Sequence, residues 1–252
     1  MGRYALVALL LLAGCARQLP LRFGPEGEVH DASVLVHALD HRSGLVHSLT
    51  AGGRITVHSP RGGGTTGVDI AAQEPGSLRV EIDGFFGNPV GLLATDGQRV
   101  QILDIDHGDF SEGAATAANL ARLLPVALPP GDAVRLLLAD PARLPVAGAV
   151  QLDPARCAYS LTLSGPEGAT QTLYLDTESL ALVGAVSGGL EVSYKKLTKI
   201  GAVDFPQEIA LRAADAKTTV ELHYKDIQLN PTIDPSMFVI QPPPGVRRVP
   251  LD

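Results

Sequence analysis

The stretch Leu78–Leu103, LRVEIDGFFGNPVGLLATDGQRVQIL, decides how the chain is read. In its first part Leu78, Val80 and Ile82 alternate with Arg79, Glu81 and Asp83, which puts apolar side chains on one face and charged ones on the other. That period of two is the mark of a half-buried antiparallel strand. Asp96-Gly97 then supplies a hairpin turn, and the alternation continues in QRVQILDI. Between these segments Phe85 and Phe86 stand side by side, flanked by Gly84 and Gly87 and followed by Asn88-Pro89. Gly accepts positive φ and Pro fixes φ, so the pair is placed at a loop tip. Loop tips are ordinarily polar, and this chain has only six Phe and no Trp.

Working outward, RITVHS alternates before this region, so the first half of the domain reads as about four strands in consecutive hairpins. Upstream, DASVLVHALDHRSGLVHSLTAGG offers Asp31 as an N-cap, Leu35, Leu39, Val46 and Leu49 near helical spacing, and Gly52-Gly53 as a stop. A helix over roughly 32–48 is expected, weakened by Gly44. Downstream, TAANLARLLPVALPPGDAVRLLLADPARLP carries two short Leu-rich segments separated by prolines, which reads as two helices joined by an elbow, with Asp132 as a possible cap. CAYSLTLSG, TQTLYLD, LALVGAVS, LEVSYKKLTKI, FPQEIALRA and TTVELHYKDIQL then give six more strands. The closing NPTIDPSMFVIQPPPG is proline-rich and aperiodic, and is expected to pack rather than pair.

No repeat of about 20–50 residues is present, which argues against a propeller or solenoid. The expected fold is α+β: an incomplete antiparallel β-barrel of about ten strands closed by a few α-helices. An immunoglobulin-like sandwich would not need the helix pair in mid-chain.

The N-terminus, MGRYALVALLLLAGCARQLP, has Arg3 followed by an apolar run from Tyr4 to Ala13. That run is shorter than the roughly 20 residues that a membrane span needs, and reads as a secretory signal peptide. Leu12-Ala13-Gly14-Cys15 looks like the lipobox of bacterial lipoproteins. The likeness implies cleavage before Cys15, an S-diacylglycerol group on its sulfur and an N-acyl group on the new amino terminus. Two lipid signals already anchor a protein stably, so such an anchor would be effectively permanent. Ala16 in the next position favours the outer membrane under the sorting rule of enteric bacteria. The expected organisation is a signal peptide over 1–14, a lipidated tether over 15–31, the half-barrel over 32–245 and a tail over 246–252. With Cys15 acylated, Cys157 is the only remaining thiol, so no intramolecular disulfide forms and the core alone must hold the domain.

Composition narrows the function. A net charge of −7 gives no basic footprint for nucleic acid, and an aromatic content of 4% means an aliphatic core. His37 and His41 are four apart on the first helix, but no third ligand has a diagnostic spacing, and they read as a solvated flank rather than a metal site. Asp104, Asp106, Asp109 and Glu112 lack calcium-loop offsets and read as a polar hairpin end. No nucleophile elbow or metal motif occurs, and Cys157 reads as a small packing residue, so an enzyme is not expected. Lys195, Lys196, Lys199 and Arg212 belong to a face of mixed charge.

The lipobox, the N-terminal helix, the Leu78–Leu103 hairpins, the helix pair and the closing FPQEIALR…VELHYKDIQLNPTIDPSMF together resemble LolA and LolB, the periplasmic carrier and outer-membrane receptor of lipoproteins. Pro206, Ile209, Leu211, Leu229, Asn230, Ile233 and Phe238 carry the most specific part. The resemblance covers about 30–240 and implies a half-barrel with an apolar cavity for acyl chains. LolB is itself a lipoprotein, so Cys15 puts this chain on its side. In LolB a loop with an exposed Leu in a Gly-Pro-Leu-Gly setting enters the membrane. Here Phe86 aligns with that Leu and Phe85 with the Pro, and the family's early Trp is absent.

The physical case is independent. Exposing an acyl chain of about 15 carbons to water costs on the order of 10 kcal/mol, so such chains cross water only inside an apolar cavity. The residues expected to line one are Leu78, Val80, Ile82, Leu92, Val100, Ile102, Leu161, Leu163, Leu173, Leu182, Val192, Ile209, Leu211, Val220 and Leu222. The expected function is a monomeric outer-membrane lipoprotein with its domain in the periplasm. It would accept acylated lipoprotein or lipid cargo, from a LolA-type carrier, and deliver it to the outer-membrane bilayer. The alternative is a structural lipoprotein of an envelope assembly with the same fold and no transport role.

Overall fold

The hairpins of the opening stretch are formed as their alternation requires. In a computed structural model, which describes residues 21–25, 27–60, 62–214 and 217–251, the chain opens with helix α1, Ala32–Arg42, capped by the Asp31 carboxylate accepting from the Ser33 N–H at 2.8 Å. Strands β1 (Ser48–Ser59), β2 (Gly62–Gln73), β3 (Ser77–Asp83), β4 (Pro89–Thr95), β5 (Arg99–Asp104) and β6 (Asp109–Ala114) follow as a meander. Two short helices come next, α2 (Ala117–Leu120) and α3 (Pro130–Leu137). Strands β7 (Val146–Asp153), β8 (Ala158–Ser164), β9 (Thr170–Asp176), β10 (Leu182–Ser187), β11 (Leu190–Ile200), β12 (Val203–Ala213) and β13 (Thr219–Leu229) form the second meander, and β14 (Arg247–Arg248) ends the chain. The signal peptide and Cys15 lie outside the described residues.

All fourteen strands belong to one open sheet, ordered β14-β6-β5-β4-β3-β2-β1-β13-β12-β11-β10-β9-β8-β7. This corrects the expected strand number of about ten. The additional strands escape a periodicity reading for identifiable reasons. β2 begins Gly-Gly-Gly-Thr-Thr-Gly, and Gly weakens any strand signal, while the exposed first half of β7, Val-Ala-Gly-Ala, lacks apolar alternation. β6, Asp-Phe-Ser-Glu-Gly-Ala, has a single large apolar residue, so it shows no alternation and reads as a polar hairpin end.

The helix expected over 32–48 stops at Arg42. Ser43 takes an extended conformation, Gly44 has φ of +78°, and Gly52-Gly53 pairs inside β1 instead of ending a helix. Gly53 is required there by a close approach: a Cβ would stand 2.6 Å from the His223 carbonyl oxygen on β13. Asp132 lies in the first turn of α3, whose N-cap is Pro129. The tail also departs from expectation, because β14 pairs in parallel with β6 at Arg247↔Asp109 and Arg248↔Phe110.

Register fixes the two faces. Antiparallel partners Val80↔Leu93, Ile70↔Val80 and Ile55↔Leu222 share the inner face, which the helices cover. There Leu35 and Leu39 of α1, Leu120 of α2 and Val134 and Leu136 of α3 join one continuous core with residues from β5 round to β8. On the outer face a small second cluster, Leu92, Ala94, Leu103 and Phe110, is covered by Ile240 from the C-terminal segment. Leu92 therefore leaves the expected cavity set: its partner Glu81 is on the charged face of β3, and the C-terminal segment shields it.

Candidate functional site: an apolar space and its rim

The centre of the inner face is formed by β3, β2, β1, β13 and β12, and α3 lies across it. Between helix and sheet is an almost wholly carbon-lined space of about 90 Å³. Ile55, Val68, Ile70, Leu78 and Val80 line it from one side of the sheet and Ile209, Leu211, Val220 and Leu222 from the other. Ala133, Leu136 and Leu137 of α3 face it, and the linker between α2 and α3 closes it with Leu124, Pro125, Val126 and Leu128. Drug-sized ligand pockets run from about 300 to 1,000 Å³, so this space is far too small for an acyl chain as it stands.

Six of the expected lining residues, Leu78, Val80, Ile209, Leu211, Val220 and Leu222, meet around this space. Val100, Leu161, Leu163, Leu173 and Leu182 are packed core elsewhere on the inner face, and Ile82 and Ile102 pack at its margin. Val192 borders a separate cleft beside Leu144 and Gln171. Apart from Leu92, the expected residues do lie on the inner face, but alternation carries no information on which stretch of that face is covered tightly. Ile55, Val68 and Ile70 were missed as lining residues although RITV and GVDI alternate, and the Leu-Pro-Val-Ala-Leu linker was read as an elbow rather than as part of the wall.

Polar contacts hold α3 at its C-terminal end. The Tyr224 hydroxyl donates to the Leu137 carbonyl at 3.1 Å and the Tyr194 hydroxyl to Leu136 at 3.4 Å. Both phenols are fully enclosed, and burial pushes both well above the ordinary tyrosine value, so they act as neutral donors. Arg42 at the end of α1 donates to the Ala139 carbonyl, Ser43 to Asp140 at 2.9 Å, and Arg143 pairs with Asp40 at 2.8 Å. Desolvation lowers the Arg42 guanidinium from its ordinary value. The linker has no such fastening among the described residues; its links to the sheet are apolar, as where Leu123 lies against Gly91.

Because neighbouring strands are antiparallel, the β1–β2, β3–β4 and β5–β6 turns all lie at one end of the sheet. The linker reaches the same end, where Leu124 and Pro125 sit beside Val57, Ser59, Pro60 and Thr218. The β3–β4 loop carries Phe85 and Phe86, which are 96% and 89% exposed and touch each other edge-to-face with ring centroids 5.1 Å apart. The loop is tightly built: the Gly84 N–H donates to Asn88 at 2.7 Å, the Gly87 N–H to Gly84 at 3.0 Å, and Gly87 has φ of +78°. At Gly84 a Cβ would stand 2.6 Å from the Val90 side chain, so only glycine fits. The backbone thus presents both rings to solvent.

Elsewhere, His37 and His41 are exposed on α1, and among the described residues no group of three or more His, Cys, Asp or Glu is placed to hold a metal ion. Asp104 pairs with His107 at 2.8 Å and Asp109 with Arg247 at 2.7 Å. Cys157 is half-buried in a turn with φ of +50° rather than enclosed. Lys195 and Lys196 both bind the enclosed Glu208 carboxylate, at 2.8 and 3.0 Å, on the outer face.

No protein-family model and no curated protein sequence matches the chain. Among solved structures it is similar to a LolA superfamily protein from Nitrosomonas europaea, at 14% identity over 83% of this chain and 97% of that one, with a TM-score of 0.53. A DUF1329 family protein from Desulfovibrio piger matches at 11% identity over 82% and 95%, with a TM-score of 0.55. An outer membrane lipoprotein-sorting protein domain from Vibrio parahaemolyticus matches at 8% identity over 82% and 97%, with a TM-score of 0.52. Identities this low speak to fold alone: the chain has a fold similar to that of these three structures, a LolA superfamily protein among them.

Proposed function

We propose that the chain is a lipid-anchored protein of the outer membrane whose domain, in the periplasm, binds the acyl chains of lipoprotein or lipid cargo and releases them into the bilayer. It acts as a binding protein rather than an enzyme, with N-acyl and S-diacylglycerol groups on Cys15 holding it at its target. The observation that carries the reading is the Phe85–Phe86 tip, exposed at the end of the sheet where the linker closes the apolar space. Likeness in fold to a LolA superfamily protein and a lipoprotein-sorting domain supports the same reading. Cargo enters by displacing Leu124, Val126 and Leu128 of the linker, which exchanges one set of apolar contacts for another along the same wall.

The test is transfer of a fluorescent diacylated peptide from a LolA-type carrier to the purified protein and on to vesicles. Stoichiometric uptake followed by release is the expected result; no uptake at saturating donor refutes the proposal. The small size of the interior space favours a second reading, a structural lipoprotein of an envelope assembly that carries nothing. Stable co-purification with envelope proteins, together with failed uptake, selects it.

A further inference from the structure

The Phe loop has an apolar neighbour on the same rim. Ile105, in the turn between β5 and β6, is 42% exposed and flanked by Asp104 and Asp106. Its backbone is tied to the base of the Phe loop, because the Ile105 N–H donates to the Val90 carbonyl at 3.0 Å, and Val90 is the residue packed against Gly84. The two turns are therefore joined at their bases by a backbone hydrogen bond. Strands in a sheet are spaced by about 4.8 Å, so the β3–β4 and β5–β6 turns stand roughly 10 Å apart across the rim. Asp104 is occupied locally, accepting from the His107 N–H at 3.0 Å and pairing with its ring at 2.8 Å, which leaves Asp106 as the exposed carboxylate beside Ile105.

We infer that Ile105 is a second contact point with the phospholipid bilayer, shallower than the Phe loop, and that the two together fix the tilt of the domain on the membrane. A single hydrophobic tip leaves the body free to swing about it, whereas two points roughly 10 Å apart define a line. Ile105 is level with Val90, and the Phe tip extends about two residues beyond, on the order of 7 Å at strand rise. When the rings are buried about 5–10 Å into the interface, Ile105 lies at the headgroup level, where the Asp106 carboxylate stays hydrated. That orientation sets the linker end of the sheet against the bilayer. The inference rests on the proposed membrane role of the Phe loop.

The chain has no Trp, so a single introduced Trp reports one position. The full chain carrying Phe86→Trp, Ile105→Trp or Leu45→Trp is mixed with phosphatidylethanolamine–phosphatidylglycerol vesicles containing brominated acyl chains. Leu45 is the matched control, 39% exposed but at the opposite end of β1. The expected result is strong quenching and a blue shift at 86, weaker quenching at 105 and none at 45. Quenching at 86 without any at 105 overturns the second contact and leaves the Phe loop standing, whereas quenching at neither overturns both. Equal quenching at all three overturns the inference, since contact is then not confined to the rim. As a second measurement, Ile105→Ser in the Phe86→Trp chain is expected to broaden the depth profile of the Trp; an unchanged profile refutes the fixed tilt.

Discussion

Replacing both rings of the loop, Phe85→Ser with Phe86→Ser, tests the membrane role without touching the fold. The rings are 96% and 89% exposed and meet only each other at 5.1 Å, so the folded state loses almost no burial. The loop itself is held by Gly84, Gly87 and two backbone hydrogen bonds that the substitutions leave in place. Exposed substitutions of this kind change stability by about 0.5 kcal/mol or less. In the bilayer the balance is different, because each Phe moved from water into an apolar phase gains about 1.5–3 kcal/mol. The pair is therefore worth about 3–6 kcal/mol, a factor of about 10² to 10⁴ in partition. Insertion only to the headgroup boundary places the expected loss at the lower end of that range. The assay is vesicle sedimentation of a chain starting at Ala16, which has no acyl anchor, alongside thermal unfolding. Partition within about twofold of the parent, with unchanged unfolding, refutes the reasoning and reduces the loop to a turn.

Three further outcomes follow from the same geometry. Ala133→Leu projects three carbons into the space of about 90 Å³ beneath α3, and is expected to cost less than about 1 kcal/mol in stability while reducing uptake of acylated peptide. Glu208 is held below its ordinary value first by the Lys195 hydrogen bond, then by Lys196. A depressed carboxylate contributes stability in full above the unfolded value of about 4.3 and loses it as pH falls through the folded value. Glu208→Gln is thus expected to flatten the acid limb of a pH–stability curve and to cost about 1 kcal/mol at neutral pH, the partners being half in solvent. Ending the chain at Pro244 removes β14, the Arg247–Asp109 pair and Leu251, which is 2% exposed in the main core. Denaturant unfolding is expected to show a loss of about 2–4 kcal/mol.

Where one side of a strand is buried and the other wet, the sequence was legible: LRVEID and VELHYKD gave both the strands and their inner faces. It failed where burial was uniform or absent. β4 has apolar residues on both faces because the C-terminal segment covers its outer side, and nothing near Leu92 in sequence announces Ile240. The glycines opening β2 carry no pattern at all, and their strand exists because β1 pairs with them residue by residue from Gly62 to Gln73.

By itself the sequence determined the hairpins of the Leu78–Leu103 stretch, the α1 cap at Asp31 and the loop-tip position of Phe85–Phe86. Each of these is a local consequence of side-chain period, of a carboxylate next to free N–H groups, or of glycine at positive φ. Only the tertiary structure decided the number of strands in the sheet, the entry of the tail as β14, and which aliphatic residues of the inner face surround an open space. Those outcomes depend on which distant segment covers each face and how tightly it packs, and a period of two records the side of a strand but not its cover.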